Sequence, residues 1–241
     1  IMAKVNMTDL KALREKSGAG LKDCKNALIE SNGDMEVAMH WLRTRGIAKA
    51  AKKSSRIATE GMIHAFINDG TTSGALVEVN CETDFVGNTP NFQNFVNELA
   101  EHVATKAPAD VDALLEQGWF KDEGQTVREV LNGMVLSTGE NVNVRRFEIF
   151  SGSYVAEYIH AGSRLGVLLN VEADASLTDN AEFKSFIEDI TMHIAANRPE
   201  FLSDAEIPAE VIEKETQIQV ARAMEEDRER VSIFFKPKVT V

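Results

Sequence analysis

Residues 92–104, FQNFVNELAEHVA, and residues 183–195, FKSFIEDITMHIA, read as two versions of one helix. Phe, Phe, a β-branched residue, an aliphatic residue and His recur at helical spacing: Phe92, Phe95, Val96, Leu99, His102, then Phe183, Phe186, Ile187, Ile190, His193. Pro90 introduces the first, where a missing N–H is tolerated. Upstream of it, residues 62–67 (MIHAFI) and 75–79 (ALVEV) are rich in β-formers and joined through Asn68-Asp69-Gly70, a hairpin signal. Strands at about 154–160 and 165–171 stand ahead of the second helix. Ile63-His64-Ala65 is echoed by Ile159-His160-Ala161, and Gly74–Val79 (GALVEV) by Gly166–Val171 (GVLLNV). Amphipathic helices converge on such patterns by chance, but agreement in order across three segments favours duplication. The predicted fold is α+β, with a core of two related strand-strand-helix subdomains.

The first sixty residues read as three short helices. Thr8 is placed to cap one carrying Leu10 and Leu13; Gly18 and Gly20 stop it; Leu21, Cys24 and Leu28 follow at helical spacing as far as Asn32 and Gly33. Asp34 caps a third, with Val37, Ala38, Trp41 and Leu42 on one face and an expected end at Gly46. Helices this short need a shared core. Ala48–Arg56 (AKAAKKSSR) then reads as a linker or mobile helix, with Lys52 and Lys53 as solvated charges. A helix pair at about 110–117 and 126–138, with Val127, Val130, Leu131 and Met134 on one face, and a strand at about 142–150 lie between the two copies. The expected domains are residues 1–56, helical with the basic linker, 57–140 and 141–204 as the two core subdomains, and 205–241 as a carboxyl-terminal helix and tail.

Among 241 residues, 38 are acidic and 26 basic, giving a formal net charge of −12. That balance opposes wrapping of nucleic acid, which needs clustered Lys and Arg. No apolar run approaches the roughly 18 residues of a spanning helix, and two cysteines, Cys24 and Cys81, make no disulfide framework. A cytoplasmic protein without membrane or nucleic-acid contact is expected. Gly18-Ala19-Gly20 is not a dinucleotide loop, since Asp23 stands where the third glycine is needed, and no Gly-Lys-Ser/Thr phosphate loop occurs. His40, His64, His102, His160 and His193 show no paired metal spacing. No constellation supports an enzyme, a cofactor or a metal.

The most informative loop is Asn80–Pro90, NCETDFVGNTP. Gly, Asn and Pro mark its end as irregular backbone, yet Phe85 and Val86 put two large apolar residues in it. Either Phe85 tucks into its own core, or it projects beside a carboxylate as an anchor for a partner's pocket. The matching loop of the second copy, Glu172–Thr178, has no aromatic, so the specialised task belongs to the first loop rather than the scaffold.

Leu13–Cys24 (LREKSGAGLKDC), Asn80–Val86 (NCETDFV), Tyr158–Leu168 (YIHAGSRLGVL), Met192–Phe201 (MHIAANRPEF) and Ile207–Glu215 (IPAEVIEKE) closely resemble signature stretches of the bacterial-type translation elongation factor Ts family. These are guanine-nucleotide exchange factors for elongation factor Tu. The resemblance spans about residues 3–224. It implies a small three-helix domain of ubiquitin-associated type ahead of the duplicated core, and a partner, elongation factor Tu, bound in its GDP-loaded and nucleotide-free states. It assigns Thr83, Asp84, Phe85 and Val86 to dislocating the partner's magnesium: Phe85 wedges between helices while Asp84 competes for polar groups. Lys11, Arg14, Leu21 and Lys22 match positions gripping the partner's nucleotide domain, and His160 matches one facing another partner domain. On their own residue types Lys11 and Lys22 read as helix-surface charge and Leu21 as core; Lys22 departs from the apolar residue frequent there. The alternative function is a non-exchanging interaction module using the ubiquitin-associated-like helices. Ile1 before Met2 reads as a cloning remnant. After Ala223–Glu226 the chain runs through Arg228-Glu229-Arg230 into Phe234-Phe235-Lys236-Pro237, departing from a family pattern whose closing segment adds partner contacts or makes a homodimer.

Overall fold

In the computed structural model, which describes residues 5–234, three helices open the chain: α1 (Met7–Ser17), α2 (Leu21–Glu30) and α3 (Met35–Lys53). Then follow β1 (Glu60–Ile67), β2 (Ser73–Cys81), α4 (Asp84–Gly87), α5 (Pro90–Lys106), α6 (Val111–Glu116), β3 (Gly118–Trp119), β4 (Asp122–Thr126), α7 (Val127–Thr138), β5 (Asn143–Ser151), β6 (Tyr154–His160), β7 (Leu165–Val171), α8 (Ala175–Thr178), α9 (Ala181–Asn197) and α10 (Ala209–Phe234). The fold is α+β, as expected. Ile1 and the Phe235-Lys236-Pro237 stretch lie outside the described residues.

The opening helices bury Leu10, Leu13, Ala19, Cys24, Ala27, Leu28, Ala38 and Leu42 in one small cluster. Asn6, not Thr8, caps α1: its side-chain oxygen accepts the Thr8 N–H at 3.1 Å, the geometry an N-cap residue offers the second helical amide. Asp34 caps α3 as expected, accepting from the Glu36 and Val37 N–H groups. Asp23 of α2 pairs with Arg45 at 3.0 Å and Lys49 at 2.8 Å on α3. Burial pushes its carboxyl up, but the hydrogen bonds and charges of Lys49 and Arg45 outweigh that and hold it below the usual carboxylate range.

The helix stop expected at Gly46 does not occur. α3 continues to Lys53, and Gly46 is buried against α7, where a Cβ would lie 3.2 Å from the Asn132 carbonyl oxygen. Leu136 of α7 joins the amino-terminal cluster, and Ala50 packs on the central core. The basic stretch is therefore helical as far as Lys53 and touches the core through Ala50, with Lys52 exposed.

The strands β1, β2 and β5 form one antiparallel sheet in the order β1-β2-β5. Met62, Val77, Val79 and Cys81 line one face and pack with Phe92, Phe95, Val96, Leu99 and Val103 of α5. The small hairpin β3–β4, with α6 and α7, supplies Leu114, Trp119, Val127 and Leu131 to the same core. That hairpin escapes pattern reading because β3 has two residues and β4 is wholly polar. His102 sits wholly buried here. The Phe120 N–H donates to its Nδ1 at 3.2 Å, so the neutral ring keeps its proton on Nε2 and donates to Gln117 Oε1 at 3.0 Å. Trp119 stacks on it at 5.3 Å.

Both copies run hairpin, four-residue helix, 17-residue helix: β1–β2, α4, α5 and β6–β7, α8, α9. The second hairpin lies against the first sheet, with the Ile63 N–H donating to Ser163 O at 2.7 Å and the Val155 N–H to Thr71 O at 2.6 Å. The helices differ in burial: Phe95 is buried and Phe186 is exposed, His102 is buried and His193 is exposed. From Asn197 onward the described residues form a second compact unit. In it Phe201, Ile207, Val211, Ile212 and Val220 line an apolar groove along α10. No helix among the described residues is long and apolar enough to cross a membrane.

Candidate functional site

The stretch expected to be irregular contains a single helical turn. Thr83 caps it, its hydroxyl oxygen accepting the Val86 N–H at 3.4 Å, and Thr89 caps α5 directly afterwards while donating its hydroxyl to Val86 O at 2.8 Å. Val86 packs on the main core and Gly87 is buried, 3.6 Å from the Gly61 carbonyl oxygen measured from an added Cβ. Gly61 is itself required to be glycine: its φ is +140°, and a Cβ on it would collide with the Val79 carbonyl oxygen across the ladder. With Thr83, Val86 and Gly87 held inward, Asp84 and Phe85 face out. Phe85 is 83% exposed, so it is not a core residue.

The turn is fastened at its start. The β1–β2 ladder ends at Cys81, and the next two N–H groups, of Glu82 and Thr83, donate to Glu140 Oε2 at 3.1 and 3.0 Å. The Thr83 hydroxyl donates to Glu140 Oε1 at 2.7 Å. In return Glu82 accepts the Asn141 N–H at 2.6 Å, which holds its carboxyl below the usual range, and pairs with Arg56 at 3.5 Å. Cys81 Sγ donates to Thr83 O at 3.1 Å; burial, with the Glu140 charge second, pushes this thiol up to about 11. It is a structural hydrogen-bond donor, not a nucleophile.

Asp84, Gly87 and Asn88 share one small hollow with Gly162, Ser163 and Arg164 of the β6–β7 turn, so the NCETDFV and YIHAGSRLGVL stretches meet in space. His160, at the end of β6, is exposed and its Nδ1 lies 2.8 Å from the Tyr158 hydroxyl. Lys11 and Arg14 are exposed on α1, and Leu21 and Lys22 at the start of α2. Leu21 is 54% exposed, which removes the alternative reading of it as part of the three-helix core: as first residue of α2 it precedes the face carrying Cys24 and Leu28. No hydrogen bond or ion pair among the described residues joins these helices to α4 or His160. No group of three or more His, Cys, Asp or Glu among the described residues is placed to hold a metal.

A family model described as Elongation factor TS matches residues 82–234, and so takes in α4 and His160. Elongation factor Ts of Halothermothrix orenii is 40% identical over 225 residues, 93% of this chain and 74% of that protein. The chain belongs to the elongation factor Ts family. Elongation factor Ts of Trichlorobacter lovleyi is 42% identical over 92% of this chain and 72% of its own length, and that of Thioalkalivibrio sulfidiphilus 44% over 90% and 71%. These elongation factor Ts alignments extend into the amino-terminal helices, which the family model leaves out. Sequence reading passes over Glu140 and Asn141, which fall between the helix expected at about 126–138 and the strand expected at about 142–150. The available signal was chemical: a chain leaving a strand at Cys81 carries free N–H groups that need an acceptor.

Proposed function

We propose that this protein is a guanine-nucleotide exchange factor for elongation factor Tu, acting in the cytoplasm during elongation of protein synthesis. It binds the GDP-loaded partner, weakens the hold on GDP, and leaves the partner free to take up GTP, with no covalent step. A GTPase holds its nucleotide through phosphate contacts and magnesium, so displacing the elements around that ion loosens GDP. The observation that carries this reading is Phe85, an aromatic ring 83% exposed on a turn whose Thr83, Val86 and Gly87 are held inward. In this account Phe85 enters a pocket between partner helices, Asp84 competes for polar groups near the magnesium, and Thr83 and Val86 hold the turn. Lys11, Arg14, Leu21 and Lys22, all exposed, grip the nucleotide domain, and His160 meets a second partner domain. The test is mixing with elongation factor Tu carrying fluorescent GDP: accelerated release supports exchange, and binding without release supports the interaction-module alternative.

A further inference from the structure

The backbone amides that lead into α4 are held by one side chain outside the exposed turn. Both ladders that could fix the chain stop short of it: β1 pairs with β2 to Cys81, and β2 pairs with β5 from Asn143. Between those ends, among the described residues, Glu140 accepts the N–H groups of Glu82 and Thr83 and the Thr83 hydroxyl, at 3.1, 3.0 and 2.7 Å. The α7–β5 turn that carries it is held in return, through the Asn141 N–H on Glu82 and the Asn141 side chain on Arg56 O at 2.8 Å. Thr83 is also the cap of α4, so the carboxylate that orients Thr83 orients the whole turn. We infer that Glu140 is a positioning residue for exchange: it sets the direction in which Asp84 and Phe85 leave the sheet, without touching the partner. This rests on Thr83–Val86 being the exchange element.

A positioning role has a distinct signature. Loss of Glu140 frees two amides and a hydroxyl, and the ring then samples directions that do not fit its pocket. Binding through α1 and α2 is kept, so preorganisation rather than contact area is lost. The experiment uses the full chain and reads GDP release from elongation factor Tu over a series of factor concentrations, with amide exchange measured on the free protein. Glu140→Ala is expected to lower the saturating release rate about tenfold, as loss of charge-assisted bonds implies, while the half-saturating concentration changes by less than about threefold. Glu140→Gln, which retains an acceptor for the amides, is expected to recover most of the rate. The Glu82 and Thr83 amides should lose protection in Glu140→Ala while those of Val77 and Val79 keep theirs. An unchanged saturating rate, a loss confined to half-saturation, or a Gln variant no better than Ala overturns the inference. If Val77 and Val79 also lose protection, the same split is read in Thr83→Val, where a wild-type rate overturns it. If the unmodified protein accelerates no release, the exchange reading falls by itself, and unchanged Glu82 and Thr83 protection in Glu140→Ala then overturns the positioning role separately.

Discussion

Phe85 and His102 are both aromatic, and their opposite surroundings give opposite expectations. Phe85 touches solvent over 83% of its surface, so Phe85→Ala should leave the unfolding midpoint in urea nearly unchanged. It should slow GDP release at least about 30-fold, the equivalent of a hot-spot anchor of about 2 kcal/mol. A loss of about 3–5 kcal/mol of stability, the cost of truncating a buried Phe, would instead place the ring in the core. His102 is fully buried, and burial pushes its imidazole pKa down while the Gln117 hydrogen bond partly opposes this. The unfolded chain, with a value near 6.5, takes up a proton first as pH falls. The stability held by neutral His102 is thus complete above about pH 6.5 and drains away below it. Urea unfolding at pH 7 and pH 6 should show this loss, and His102→Gln should reduce the difference, leaving the part due to half-buried His64, whose pKa burial also lowers.

Among the elements, long amphipathic ones were legible and short or glycine-marked ones were not. α5, α7 and α9 advertise their 3.6-residue period, and the β1–β2 and β6–β7 hairpins their β-rich segments in repeated order, because one face of each is fixed by burial. α4 has four residues, barely one turn, so its cap at Thr83 and its carboxylate partner exist only in three dimensions. Gly46 misleads for a related reason: a glycine that ends a helix and one that lets a second helix approach look alike in sequence. In the structure it is the second kind, facing the Asn132 backbone. Gly46→Leu should therefore destabilise the protein by about 1–3 kcal/mol, as overpacking does, seen as a lower urea midpoint. An unchanged midpoint would mean that α3 and α7 do not meet there. The exposure of Leu21 was hidden in the same way, since spacing aligns it with Cys24 and Leu28 while the end of a helix does not oblige it to be covered.

For the molecule as a whole, the proposed function assigns partner binding to the three opening helices and nucleotide release to the exposed turn at α4. Substituting Lys11, Arg14, Leu21 and Lys22 together by Ala should raise the half-saturating concentration for release, by about tenfold or more for several contacts, and leave the saturating rate close to unmodified protein. Thermodynamic linkage ties this to the nucleotide: the factor by which this protein weakens GDP binding must equal the factor by which GDP weakens binding of this protein. Titration into nucleotide-free and GDP-saturated elongation factor Tu at fixed magnesium gives that ratio, and equal affinities contradict exchange. The central claim is that the outward Asp84-Phe85 turn drives nucleotide release, and it is tested most directly by following fluorescent GDP leaving elongation factor Tu as this protein and its Phe85→Ala variant are added to saturation. The account predicts fast release with the first and slow release with the second, both bound; release equally fast with both, or absent with both despite binding, contradicts it.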